Sequence, residues 1–175
     1  MWKASKLLRG MIRHRKMVQR GLGVVLGLAV VAAVFAQTKD ARADVLKLQL
    51  QRFEGAYQIV GPGGATGSMD MHGLDSGSDW TISLTGKRAV QVHATVTYDP
   101  GTNRQKATLE MNGTTHQGLA SIDGKDLTLE LKDGKVTRRL RLHLTGRTAS
   151  SVSLSEQEDG KAETSIFDVN AKRTV

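Results

Sequence analysis

The sequence contains no cysteine, which excludes disulfide staples and the lipid-bearing cysteine on which a bacterial lipoprotein is anchored. Phe, Trp and Tyr together make up only 4% of it, which argues against a site that stacks flat ligands between rings. Beyond residue 43 the chain has no net charge, with 16 Lys/Arg set against 16 Asp/Glu. A neutral domain lacks the electrostatic contribution that dominates binding to phosphate backbones, so no nucleic-acid partner is expected. The one long apolar run, Gly21–Ala36, is 16 residues, about 24 Å as a helix against a hydrocarbon core of about 30 Å.

What is present begins with a leader. Residues 1–43 hold nine Lys/Arg and a single acid, Asp40, and so account for the whole net charge of +8. A basic segment to Arg20, the apolar run, and small residues at Val34-Phe35-Ala36 and Ala41-Arg42-Ala43 form the three parts of a secretory signal peptide. The expected division is a signal peptide at 1–43, with cleavage after residue 36 as the alternative, and one domain at 44–175. The expected location is periplasmic or secreted, with no membrane contact once the leader is removed. The alternative is an uncleaved leader that anchors the chain, since tilt or local thinning can accommodate a short span. About 130 residues without disulfides can enclose one hydrophobic core.

Within that domain, Asp44–Phe53 is ambiguous: Leu46, Leu48 and Leu50 alternate as in a strand, while Leu46, Leu50 and Phe53 share a helical face. No other stretch after the leader suggests a helix. Gly55–Val60 reads as a first strand, followed by the glycine-rich Gly61–Gly67. Trp80, Ile82 and Leu84 then alternate with polar residues, as do Val90 to Tyr98 in steps of two, Ala107/Leu109/Met111, Leu127/Leu129/Leu131 and Leu140/Leu142/Leu144. One apolar face and one wet face mark antiparallel strands. Asp99-Pro-Gly-Thr-Asn103, Asn112-Gly113, Asp123-Gly124, Asp133-Gly134 and Asp159-Gly160 supply tight hairpin turns. The fold class is therefore all-β, an antiparallel up-and-down meander of about nine or ten strands closing into a barrel, with an open curved sheet as the alternative.

Phe53-Glu-Gly55-Ala-Tyr57 resembles the Gly-x-Trp opening of lipocalin-like (calycin) barrels, with Tyr in the Trp position. Tyr98-Asp-Pro-Gly101, Gly118 followed by Asp123-Gly124, Leu127-Thr-Leu129 and the terminal Asn170-Ala-Lys-Arg173 are similar to bacterial lipocalin-like domains of unknown function. The resemblance extends over residues 50–173. It implies a barrel with an interior pocket, and a basic residue of the last strand packed over the aromatic of the first. By that resemblance Arg173 lies over Tyr57 in a cation–π contact that closes the barrel structurally.

No motif for a reaction stands out. Gly61–Gly67 lacks the Gly-Lys-Ser/Thr and helix of a phosphate loop and reads as a hairpin. Ser76 and Ser78 lack a Gly-x-Ser-x-Gly frame. Glu156, Glu158 and Asp159 are adjacent acids at a turn, where solvation is the rule. His72, His93, His116 and His143 show no H-x-H or H-x-x-x-H spacing that sets two ligands in register. Met69, Met71 and His72 are a Cu(I)-type donor set, but alternation puts His72 on the face opposite the two thioethers. Arg139 and Arg141 share the outer face opposite Glu130, and Arg138 points with Leu140 toward a barrel mouth. The chain is expected to be a non-enzymatic, cofactor-free barrel that binds a small apolar or amphipathic ligand through Trp80, Ile82, Val92, Tyr98 and Arg138. The alternatives are a structural or protein-interaction domain with a partner protein, and a metal site built from histidines.

Overall fold

A computed structural model describes residues 41–86 and 89–174. The basic segment, the apolar run and the small-residue site ending at Ala36 lie outside the described residues. Residues 42–175 form one compact unit, a β-barrel. Its strands are β1 (Gly55–Val60), β2 (Thr66–Leu74), β3 (Gly77–Thr85), β4 (Val90–Asp99), β5 (Arg104–Met111), β6 (Thr114–Asp123), β7 (Asp126–Asp133), β8 (Val136–Leu144), β9 (Ala149–Glu158) and β10 (Thr164–Arg173). Each pairs antiparallel with its sequence neighbours, and β10 pairs with β1, so the meander closes rather than remaining an open sheet.

Alternation decides the wall's two faces. Trp80, Ile82, Val92, Leu109, Leu127, Leu129, Leu140, Leu142, Val152 and Leu154 point inward, none more than 1% exposed. Their polar neighbours face water, where Glu130 sits opposite Arg139 in register, 3.3 Å from it. The middle of the barrel is thus solid. An eight-stranded bore is already filled by side chains, and ten strands enclose a wider one. The additional space is taken by large residues and by a plug.

The plug is a helix, α1, over residues 41–50, so the ambiguous stretch Asp44–Phe53 is helical to residue 50, with a turn at 51–53, and is not a strand. Leu46, Leu50 and Phe53, at helical spacing, are buried in the core, while Leu48 faces solvent. The helical reading prevails because an open barrel end needs one apolar stripe to seal it, not a sheet face. The last turn tightens, with Phe53 N donating to Leu50 O at 2.9 Å and Glu54 N to Gln51 O at 3.3 Å. Gly55, at φ +134°, then turns the chain into β1. The plugged end also carries the turns after β2, β4, β6 and β8. The turns after β1, β3, β5, β7 and β9 ring the far end. β3 begins at Gly77, earlier than Trp80, because Asp75-Ser76 is itself a tight turn.

Two sequence devices hold these turns and strands in place. Asn112 and Gly113 both have positive φ, 53° and 76°, the mirror-image turn whose twist matches a hairpin. Gly118 lies so close to β7 that an added Cβ would collide with the Glu130 carbonyl oxygen. Gly118→Ala is therefore expected to lower stability by about 2–3 kcal/mol. Gly146→Ala, where an added Cβ meets nothing within 4 Å, is expected to stay within about 0.5 kcal/mol of wild type. Urea titrations of the two variants check the contrast.

At the β4–β5 turn, the Asp99 carboxylate accepts from Gly101 N at 2.8 Å and from the Thr102 hydroxyl at 2.9 Å. It also meets Lys106 Nζ at 2.6 Å. Lys106, then Gly101 and Thr102, hold its pKa down from 3.8 to about 2. A carboxyl depressed on folding contributes stability above its unfolded pKa and loses it as pH falls through the folded value. The stability difference between wild type and Asp99→Asn should therefore be constant at neutral pH and shrink between about pH 4 and pH 2. Urea midpoints measured across that range provide the test.

Candidate functional site

At the plugged end, the first and last strands meet over Tyr57–Val60 and Asn170–Arg173. Arg173 faces inward, its guanidinium carbon 5.3 Å from the Tyr57 ring centroid. One guanidinium nitrogen donates to Tyr57 Oη at 3.1 Å, to Arg52 O at 3.4 Å and to Glu54 O. Tyr57 Oη in turn donates to Phe53 O at 2.8 Å. The cation thus lies against the carbonyls that end α1 and its final turn, where a positive charge is favoured. Gly55 is needed here: an added Cβ would sit 2.9 Å from Arg173 Nε. Arg173 ties three pieces together: the plug, the first strand and the last.

The barrel's middle holds Trp80, Ile82 and Val92, packed among other core side chains. Trp80 Nε1 donates to the Ser78 hydroxyl at 2.5 Å, so Ser78 is a buried partner for the indole and not a nucleophile on a loop. Tyr98 lies at the plugged end instead. Its hydroxyl donates to Asn103 Oδ1 at 2.9 Å, and its side chain borders a cavity of about 260 Å³ with Val45, Leu46 and Gln49 of α1.

The far end is divided in two. On one side, inward-facing His116, Asp133, Arg138 and Glu156 come from the adjacent strands β6 to β9. Arg138 meets Glu156 at 2.7 Å and donates to His116 Nδ1 at 3.2 Å. His116 Nδ1 is also 3.5 Å from Asp133. Arg138 therefore closes this half of the mouth.

The other half is open. β1 ends at Val60 and the chain turns at Pro62–Gly64, so Thr164–Val169 of β10 have no partner on their β1 side. A cavity of about 410 Å³ occupies the gap, lined by Pro62, Leu84, Val90, Ile166, Phe167 and Val169 among others. The register of β10 shifts between Ser165 and Phe167, a bulge that adds Ile166 to the lining and re-aims the strand at the mouth. None of the five residues expected to bind a ligand, Trp80, Ile82, Val92, Tyr98 and Arg138, lines this cavity; Leu84 and Val90 are their neighbours on β3 and β4. Alternation could flag both as inward-facing, but the gap beside them arises from where β1 ends, which no local pattern marks.

The candidate metal donors diverge. Met69 and Met71 are buried in the core while the His72 side chain is 71% exposed, 3.2 Å from Asp70. His93 and His143 face outward from β4 and β8, each beside a carboxylate of the adjacent strand, at 2.6 Å from Asp79 and 2.7 Å from Asp126. His116 points inward, so the four rings do not converge. Among the described residues no three His, Asp or Glu side chains are grouped to hold a metal ion.

The closing contact at the plugged end makes a direct prediction. Arg173→Gln should lower stability by about 2 kcal/mol, the scale of hydrogen bonds made by a charged donor. It should also speed hydrogen exchange in residues 46–53, and Arg173→Lys should restore only part of both. Compared with known protein families and with curated proteins, the chain gives no match.

Proposed function

We propose that this chain is an exported, non-enzymatic barrel of lipocalin-like type that binds a small apolar or amphipathic ligand at its open mouth. The observation that supports this is the cavity of about 410 Å³. Its volume falls within the several hundred cubic ångströms of small-molecule sites. Leu84, Val90, Ile166, Phe167 and Val169 supply an apolar wall, and Ser165 and Asp168 supply polar groups. A ligand with an apolar body and one polar group matches that lining. Export is supported by the basic, apolar and small-residue order of residues 1–43.

A second reading draws on the same gap. The unpartnered stretch Thr164–Val169 beside exposed Val60 offers a strand edge to which an extended segment of a partner protein can add.

Native and denatured masses of protein from the exported fraction test export and binding together. Loss of residues 1–36 or 1–43 is the expected processing, and an intact chain contradicts it. Decanol, followed by amide shifts in residues 84, 90 and 165–169, should bind wild type and lose at least tenfold in affinity in Val90→Trp. Leu119→Ser, on the outer wall, should bind as wild type does. Absence of shifts with decanol, together with peptide-induced shifts along Thr164–Val169, would instead establish the strand-addition reading.

A further inference from the structure

The plugged end carries a second concavity, of about 470 Å³, lined by Arg52, Lys125, Leu144, Gly146, Arg147 and Arg173. Four of its six lining residues are cations and none is an acid. In a domain with equal numbers of acidic and basic residues, this is a local concentration of charge and not a reflection of the whole. The four come from four separate places in the chain. Arg52 follows α1, Lys125 is in the β6–β7 turn, Arg147 is in the β8–β9 turn and Arg173 ends β10.

Elsewhere on the barrel several cations are matched with carboxylates, as in Lys106–Asp99, Arg138–Glu156, Arg139–Glu130, Arg141–Glu163 and Lys161–Glu158, and what sets the four apart is that they line one concavity. Among the described residues, none of the four cavity cations has a carboxylate within ion-pair distance. Of the acids flanking Lys125 in its turn, Asp126 is occupied by His143 at 2.7 Å. Arg52 and Arg173 use part of their donor capacity on the carbonyls of Gly124 and of the α1 terminus. Lys125 and Arg147 are exposed. Converging like charges repel one another, and a bound anion relieves that repulsion. Guanidinium forks and a flexible ammonium are together suited to an oxyanion with several acceptor oxygens.

We infer that this concavity is a binding site for a phosphate group, one end of an amphipathic molecule. The amphipathic character is drawn from α1, whose Val45 and Leu48 are 53% and 63% exposed and precede Arg52 by seven and four residues, Val45 also bordering the separate cavity beside Tyr98. An alkyl chain leaving the phosphate would lie on that stripe. The site lies at the end opposite the apolar cavity and shares no lining residue with it.

The experiment uses the full chain with two soluble probes, pyrophosphate and monomeric dihexanoyl phosphatidic acid, at constant ionic strength. Calorimetry and amide shifts at Lys125, Gly146 and Arg147 report binding. Both probes should bind, phosphatidic acid at least tenfold more tightly, and Lys125→Gln/Arg147→Gln should weaken each at least tenfold. Leu48→Ser should remove the advantage of the lipid alone. If pyrophosphate binds as tightly as the lipid and the double variant weakens both, the site stands with a free phosphate compound as its ligand and the alkyl-stripe part falls. If neither probe binds, or the double variant binds as wild type does, the inference is overturned. Val90→Trp, which blocks the far cavity, should bind both probes unchanged, so failure at one end is distinguished from failure at the other.

Discussion

The junction between β1 and β10 is the narrowest in the barrel, four residue pairs long, and the integrity of the whole cylinder depends on it. Backbone hydrogen bonds alone leave such a short seam weak. A single guanidinium, that of Arg173, reinforces it by gripping the Tyr57 hydroxyl and ring and the carbonyls just after α1. The same contact decides three features at once. Gly55 must lack a side chain, β1 must begin where it does, and the helix must end with its apolar stripe turned into the bore.

A solid middle has a functional corollary. Among the described residues, side chains from β3 to β9 that face the bore are buried in the core, and the cavities lie at the rims. The two rims differ in character. At one, the short β1 and the β10 bulge leave an apolar gap beside an interlinked quartet of His116, Asp133, Arg138 and Glu156. At the other, a helix seals the bore and four unpaired cations gather round its exit. The barrel is thus asymmetric along its axis, with an apolar cavity at one mouth and a cluster of cations at the other.

The architecture was readable from residue order because its signals are local. Alternation reports the inward faces of β3, β4, β5, β7 and β8, and Asn112-Gly113 reports a turn whose backbone few other pairs tolerate. The Arg139–Glu130 pairing was equally readable, since both residues lie on outer faces of adjacent strands. The helix was not, because Leu46, Leu48, Leu50 and Phe53 satisfy both periods and only the open end of a finished barrel chooses between them. Nor were the concavities. The apolar one depends on an absent neighbour for Thr164–Val169, and the basic one gathers Arg52, Lys125, Arg147 and Arg173 from positions up to 121 residues apart. A neutral total charge concealed that gathering.

The seam also sets the order in which the molecule can be assembled. Every other strand pairing joins sequence neighbours across a short turn, so those hairpins zip together at little cost in chain entropy. The contact between Tyr57 and Arg173 spans 116 residues and closes a loop containing nearly the entire barrel. Non-local contacts of this kind slow folding. Until that closure, β1 and β10 each present a bare edge, and the apolar stripe of α1 has no completed rim to seal. The slow step and the period of greatest exposure to misassociation are therefore the same event, the arrival of Arg173 at the carbonyls that end the helix.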